Sequence, residues 1–509
     1  MRNHERQPDP TCARQAAARQ RRRGSTALRA FVVLLVTMGG AMGLTARSDA
    51  QVRLPDFGDA SEVTLSPADE RALGEAFMRE IRARLTLVDD PLVERYIQSL
   101  GYRLVASSDR RDLQFTFFVV EHASLNAFAA PGGFVGVNSG MILATQSESE
   151  FASVLAHEIA HVTQRHIVRG IDHAGRSNLP VLAGILAAII IGVQDVEAGQ
   201  ATAAAVIGTT AQRRINFTRQ NEMEADRVGI QILANAGFDP RQMAGVFEKL
   251  QYAARFSPVA PEFLSTHPVT TNRIAEARDR AERFPYRQHQ NSESYYLVRA
   301  KLRARTADDA NRVLDQLVEE LSTGHAQSPV ANAYGQAIAM TRLGRDDDAR
   351  EILERLVKTH PDNLTFLDEL AGTVLRSGDL KRALSLYSQA LDLYPDDKGL
   401  VRGHAAALNE AGRPSDTLKL IDDYGQLYPI DSQMYRLRAD ANQKLGRTLE
   451  SRADLAEHYY LSGHLGAAIE QLRLASQGPK QDADFYVISR IESRLAALEA
   501  ERRMRLTRR

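Results

Sequence analysis

The sequence predicts a mainly α chain, with a mixed α+β domain first and an α-solenoid after it. Three observations carry that prediction. Gly344, Gly378, Gly412 and Gly446 recur every 34 residues, and Pro361, Pro395 and Pro429 keep the same step, which is the period of a stacked helix pair. In the first half, amphipathic helical stripes are interrupted by two short β-rich runs. Among them the stretch FASVLAHEIAHVTQRHIV, from Phe151 to Val168, sets His157, Glu158 and His161 on one apolar helix.

At 509 residues the chain exceeds what one core supports, so two or three domains are expected. Lys plus Arg and Asp plus Glu number 64 each, which leaves no global field to draw the chain to nucleic acid or to anionic lipid. Its amino terminus is rich in arginine and free of lysine, and it runs into the apolar stretch AFVVLLVTMGGAMGL before Ser48-Asp49-Ala50. That pattern reads as a signal peptide over residues 1–50, cleaved near Ala50, because the apolar run is too short to span a bilayer. Ser25 and Thr26 stand where a twin-arginine signal wants apolar residues, so ordinary export is expected. The only cysteine, Cys12, precedes the apolar run. The mature chain therefore has neither a disulfide nor a cysteine nucleophile.

Residues 51–65 form a polar lead without periodicity. Ser66-Pro67 then starts a helix, with Ser66 as N-cap and Leu73, Phe77, Ile81 and Leu85 as its apolar stripe. A second helix follows Asp90-Pro91 and runs through Val93, Tyr96, Ile97 and Leu100 to a stop at Gly101. Leu113 to Val120 reads as a strand, and so does Gly133 to Asn138 after the turn at Pro131-Gly132-Gly133. Between them lies Asn126-Ala127-Phe128, a candidate substrate strand to whose edge an extended chain can add. Plain core strands account for the same pattern.

On the helix around Leu155 the i,i+4 spacing returns His157 and His161 to one face, one turn apart, with Glu158 beside them. Phe151, Val154, Leu155, Ile159, Val162 and Ile167 would bury that face, and a metal ion offsets the cost of burying two imidazoles and a carboxylate. Two neutral imidazoles plus a carboxylate suit zinc, which lowers the pKa of water to roughly 7 so that Glu158 can take its proton. The chemistry implied is amide hydrolysis.

The charge-free run LPVLAGILAAIIIGV, from Leu179 to Val193, is fifteen residues and too short to span a bilayer. It reads as a buried or lid helix beside the cleft that touches a membrane surface peripherally, or as simple core, and a small-residue run from Ala198 to Ala211 follows. At Asn221 a helix opens that continues to Gly237 and holds Glu222 and Asp226 on one face. Such a helix offers one carboxylate to a metal and another to the outer nitrogen of a ligating histidine. Glu224 points roughly 160° away from Glu222 and is expected in solvent or on an arginine.

From Pro329 onward the 34-residue units are tetratricopeptide repeats, whose concave face ordinarily binds peptides or protein surfaces. A spacer or an oligomerisation arm is the plainer reading. Divergent or capping units flank them, and Gly463 is expected to break the register. Tyr387, Tyr394, Tyr424, Tyr428, Tyr435, Tyr459 and Tyr460 are candidates to line the groove, although most tyrosines in such repeats are core.

The ordered set NAFAAPGGFVGVNSG, HEIAH, NEMEADRVG and STHPVTTNRI resembles the zinc metallopeptidase family forty-eight, which includes HtpX and the CAAX prenyl proteases, over about residues 65 to 280. The resemblance implies a gluzincin-type domain holding one zinc ion per chain, with Glu158 catalytic and His157, His161 and Glu222 as ligands. The family pattern ExxAD falls on Glu222 to Asp226, so Glu222 rather than Glu224 is the third ligand and Asp226 its supporting neighbour. By itself His267, on the Pro-bounded loop of the motif that follows, reads as an ordinary loop histidine; the resemblance offers it two roles, a donor to the oxyanion or a fourth ligand acting as a latch, and the latch is the favoured one.

With its signal peptide and repeats, the layout is similar to periplasmic members of that family. This resemblance implies an exported zinc metalloendopeptidase acting on misfolded or stalled envelope proteins. Its repeats would recruit unfolded outer-membrane proteins and their assembly machinery. The alternative is a periplasmic chaperone or assembly scaffold with a vestigial metal site. The expected division is a signal peptide at 1–50, a lead at 51–65, a peptidase domain at 66–284, a divergent linker or first repeat at 285–328, repeats at 329–480, and a C-terminal helix with a basic tail at 481–509.

Overall fold

A computed structural model describes residues 66–174, 211–256, 261–477 and 485–507. The expected signal peptide, the polar lead, the run from Leu179 to Val193 and all but the last residue of the run from Ala198 to Ala211 lie outside the described residues. Residues 58–500 form one compact unit, and of the other, 1–57 with 501–509, only the end of the last helix is described. The mainly α class holds, since among the described residues one three-stranded sheet accompanies the helices. No described helix is long and apolar enough to cross a membrane.

Helix α1 (Pro67–Arg84) begins as expected, with the Ser66 hydroxyl accepting from the Asp69 N–H. Helix α2 (Pro91–Ala106) is capped by Asp90, whose carboxylate accepts from the N–H groups of Leu92 and Val93. It does not stop at Gly101. There the Phe117 ring lies 2.4 Å from where a Cβ would stand, so the glycine serves close packing of strand on helix and not termination.

Strands β1 (Thr116–Val120), β2 (Ala127–Ala130) and β3 (Phe134–Asn138) lie in the order β1-β3-β2, with β3 parallel to β1 and antiparallel to β2. Both expected strands are shortened at their starts, the second because Gly133 sits in the turn at φ 79°. Alternation along the strands divides the core. Phe118, Phe128 and Phe134 pack with Phe77 and Ile81 of α1, whereas Phe117, Val119, Val135 and Val137 face a larger core with Leu100, Phe151 and Leu155. Ala127 and Phe128 of the candidate substrate strand belong to the edge strand β2.

A short helix, α3 (Ser139–Ala144), separates β3 from α4 (Glu148–Thr163), so no strand leads directly into the HExxH helix. Every residue of α4 is buried. Helix α5 (His166–Ala174) follows, and then α6 (Ala211–Asn235), which starts ten residues before the expected Asn221 because AQRRINFTRQ contains neither Gly nor Pro to break it. Gly229 lets α6 approach α4 closely: a Cβ there would lie 3.2 Å from the His157 nitrogen and the Ala156 oxygen. Helices α7 (Gln242–Phe256), α8 (Phe263–Thr266) and α9 (Thr271–Glu282) complete this part of the chain.

A helix pair, α10 (Glu293–Thr306) and α11 (Ala310–Ser322), precedes the periodic units. These are α12 (Pro329–Arg342) with α13 (Asp346–Thr359), α14 (Leu364–Arg376) with α15 (Leu380–Leu393), α16 (Lys398–Glu410) with α17 (Pro414–Gly425), and α18 (Ser432–Lys444) with α19 (Thr448–Leu461). Helices α20 (Leu465–Gln477) and α21 (Phe485–Thr507) end the described chain. Gly344, Gly378, Gly412 and Gly446 turn each pair at φ between 71° and 84°. Gly463 makes the same kind of turn at φ 85°, with its N–H on the Tyr460 carbonyl and that of His464 on the Tyr459 carbonyl, but only 17 residues after Gly446, so the 34-residue step of these glycines breaks there. Of the candidate groove tyrosines, Tyr387 is buried in the repeat core and only Tyr428 is exposed.

Ion pairs seat the repeats on α2. Arg95 meets Asp397 at 2.7 Å, Arg402 meets Asp89 at 2.7 Å, and Lys398 pairs with Glu94. Lys301 of α10 bridges Asp90 at 2.8 Å and Glu369 of α14 at 2.9 Å.

Candidate metal centre

The i,i+4 spacing on α4 brings Nε2 of His157 and Nε2 of His161 within 3.1 Å of each other. From α6, Glu222 places Oε2 3.4 Å from His157 Nε2 and Oε1 3.4 Å from His161 Nε2. His267, the C-cap of α8, sets Nδ1 3.0 and 3.1 Å from the two Glu222 oxygens and 3.3 Å from His157 Nε2. One donor atom from each of these four side chains lies within 4.8 Å of the others.

The Glu158 carboxylate is fully buried on the same helix, and neither oxygen has a hydrogen-bond partner. The nearest cationic candidate is His267 Nε2, 3.5 Å from Oε1. Such a group is costly to bury without water, metal or substrate beside it.

Charge in the cluster points the same way. Burial disfavours a proton on His157, but Asp226 and Glu222 outweigh it and push that imidazole up to about 9. Burial, reinforced by the neighbouring histidines, drives His161 well below the ordinary histidine value. Burial alone would raise Glu222, yet His267, His161 and His157 hold it well below the usual carboxylate range. The pocket thus attracts positive charge while keeping one imidazole free to donate a lone pair. Converging imidazoles and a carboxylate with this balance fit a divalent metal ion.

Asp226 lies behind His157, with Oδ1 3.0 Å from Nδ1, the nitrogen facing away from Glu222. Glu224 turns to the opposite face, as its helical phase requires, and meets Arg169 at 2.8 Å and His166 at 3.1 Å. Asn126 precedes β2 and pairs its carbonyl with the Asn138 N–H at 3.0 Å; by register, the Ala127 backbone groups then face the open edge. Phe263 N–H donates to the Leu125 carbonyl at 3.1 Å, which ties the His267 turn to that strand.

Two residues of the cluster carry no role in the sequence reading. Arg273 is buried, with Nε 2.7 Å from Asp226 Oδ2, Nη2 2.8 Å from Asp226 Oδ1 and Nη1 3.0 Å from Glu222 Oε2. Its signal was the need of two buried acids on one helix face for a cation. His166 sits with Nδ1 3.0 Å from His161 Nδ1, and its signal was a third histidine just past the HExxH motif.

An all-helical arm on a domain that converges imidazoles and acids beside an edge strand describes a metallopeptidase built to take protein substrates. Comparison with known proteins agrees. Residues 91–281 match peptidase family M48, and residues 332–363 and 374–441 match tetratricopeptide repeats. The chain is 35% identical over 451 residues to the beta-barrel assembly-enhancing protease of Escherichia coli (strain K12), covering 88% of this chain and 92% of that one. It is 36% identical over 427 residues to the putative beta-barrel assembly-enhancing protease of Vibrio cholerae, covering 84% and 88%. The mitochondrial metalloendopeptidase OMA1 of Danio rerio is 30% identical over 209 residues, 40% of this chain and 43% of that one. The chain belongs to peptidase family M48, and it is a metalloprotease with tetratricopeptide repeats.

Proposed function

We propose that the protein is an exported zinc metalloendopeptidase of the periplasm that cleaves misfolded or stalled outer-membrane β-barrel proteins, with its repeats recruiting them or their assembly machinery. One observation carries the reading: His157, His161 and Glu222 converge while the neighbouring Glu158 carboxylate is buried without a hydrogen-bond partner. The names of the full-length relatives supply the client class, and the Arg-rich, apolar amino terminus supplies export.

His157, His161 and Glu222 would hold the zinc ion, one per chain. When bound, zinc supplies a Lewis acid that polarises a carbonyl and acidifies water. Glu158 takes a proton from water and passes it to the departing amine, a task that its buried carboxylate, with no hydrogen bond on either oxygen, suits. Asp226 orients His157 through Nδ1. An extended client chain adds to β2 at Ala127 and Phe128, with Asn126 at the end of that edge. His267 acts as a latch, resting against Glu222 and His157 until a client arrives. The scaffold reading with a vestigial metal site gains nothing from a donor set that retains every member.

The test is Glu158→Gln in the purified protein, with zinc content and cleavage of an unfolded outer-membrane protein as readouts. Zinc and fold should persist while cleavage is lost. Unchanged cleavage would overturn the peptidase assignment of this site.

A further inference from the structure

The turn between α4 and α5 holds a histidine that the metal reading leaves unused. Helix α4 ends at Thr163, and Arg165 adopts φ 52°, the left-handed region that a residue with a Cβ enters only when its surroundings hold it there. The Arg165 N–H donates to the Val162 carbonyl at 2.9 Å, its carbonyl accepts from the Arg169 N–H at 2.9 Å, and its side chain meets Glu70 of α1, Nη2 to Oε2 at 3.2 Å. The consequence falls on His166. On an uninterrupted helix a residue five positions past His161 would lie about 140° round the axis, and the two rings could not meet. The left-handed residue folds the chain back so that His166 is buried against His161, ring centroids 4.9 Å apart at 78° and Nδ1 to Nδ1 at 3.0 Å. Nε2 of His166 lies 3.1 Å from Glu224 Oε2, and Arg169 holds the same oxygen at 2.8 Å.

The protons on this chain of groups follow in order. His161 Nε2 faces His157 and Glu222, so a ligating His161 keeps its lone pair there and carries its proton on Nδ1. That N–H can donate only to a bare Nδ1 on His166. The His166 proton then sits on Nε2 and donates to the Glu224 carboxylate. We propose that His166 is a positioning residue for the metal centre: the relay from Glu224 through His166 fixes the tautomer and ring orientation of His161. It spreads over two imidazoles what a carboxylate ordinarily does for one metal-ligating histidine. This inference rests on the reading of His161 as a metal ligand. A histidine that merely fills space needs its volume, whereas the relay needs an acceptor where Nδ1 stands.

The test uses the full chain, stripped of metal, with zinc affinity measured by competition with a chromophoric chelator. His166→Phe keeps a ring without an acceptor and should weaken zinc about 10- to 100-fold. His166→Asn places an amide oxygen near the Nδ1 position and should recover most of that loss. The visible spectrum of the cobalt-substituted protein should shift in His166→Phe and return in His166→Asn. Should His166→Phe fail to fold, Glu224→Leu, which leaves both histidines in place, should still weaken zinc several-fold. Zinc affinity of wild-type strength in His166→Phe overturns the proposal. Equal losses in His166→Phe and His166→Asn, matched by equal loss of thermal stability in the metal-free proteins, also overturn it and leave a packing role. His161→Ala separates the two readings: if it binds zinc as tightly as the wild type, the ligand assignment has failed and not the relay alone.

Discussion

Arg273 and Glu222 stand 3.0 Å apart, Nη1 to Oε2, with both side chains buried. The same guanidinium takes both oxygens of Asp226 and donates to the Pro268 carbonyl at 2.8 Å. One side chain on α9 therefore holds two acids of α6 and the turn beside His267. Removing it leaves two buried carboxylates with only the imidazoles of His157, His161 and His267 to balance them, and breaking such a buried ion pair costs up to about 3 to 5 kcal/mol. Arg273→Met should lower the denaturation midpoint of the metal-free protein, and zinc should restore part of the loss by replacing the missing positive charge. Calorimetry with and without zinc checks this.

Glu222→Gln should weaken zinc far more than Glu224→Gln, because Glu222 faces both Nε2 atoms while Glu224 lies on the outer side of the helix. A glutamine at 224 keeps an oxygen that accepts from His166. Isothermal titration of the two variants gives the comparison, and equal losses would show that the wrong carboxylate had been assigned.

Asp226→Asn should cost roughly 10- to 100-fold in zinc affinity or activity, the usual effect of altering the partner behind a ligating histidine. The ring of His157 loses an anionic neighbour at 3.0 Å. Zinc affinity and cleavage rate measured side by side give the effect, and no change in either would return Asp226 to a purely structural role with Arg273.

His267→Ala should raise basal cleavage or self-cleavage while zinc stays bound through the remaining donors, as a latch requires. A fall in cleavage with zinc retained would instead assign His267 to the oxyanion, where loss of a donor costs ~2.7 to 4 kcal/mol of barrier. Cleavage and bound zinc assayed on the same preparation distinguish the two.

Asp368 of α14 lies in the seam where the repeats meet α2, and burial, reinforced by Glu369, pushes its carboxyl up to about 7. A carboxyl raised in the folded state binds its proton more tightly there than in the unfolded chain. Stability from this group is present at low pH and falls as pH rises from roughly 4, where the unfolded carboxyl ionises, to about 7, above which the loss is complete. Asp368→Asn should flatten that part of the pH–stability curve and stabilise the fold above pH 7. Because Asp368 keeps part of its surface in solvent, the change should be smaller than for a fully enclosed carboxyl. Denaturant midpoints at pH 5 and 8 in both proteins provide the comparison.

Local pattern by itself determined much of this protein. The spacing of His157 and His161, the helical phase of Glu222 against Glu224, the Ser66 and Asp90 caps, and the 34-residue step of Gly344 to Gly446 are all set by neighbours a few residues away on one helix or in one turn. Such geometry is fixed once the helix forms. What only the tertiary structure decided concerns groups far apart in sequence. Gly101 serves close approach to Phe117, where sequence suggested a helix stop, and Gly463 packs against the backbone of Ala83. Arg273 reaches Glu222 and Asp226 across a helix interface, and His166 meets His161 because Arg165 leaves the right-handed region in the turn that joins the two helices. Burial and charge balance are properties of a packed pocket, and no period along the chain encodes which distant side chain fills it.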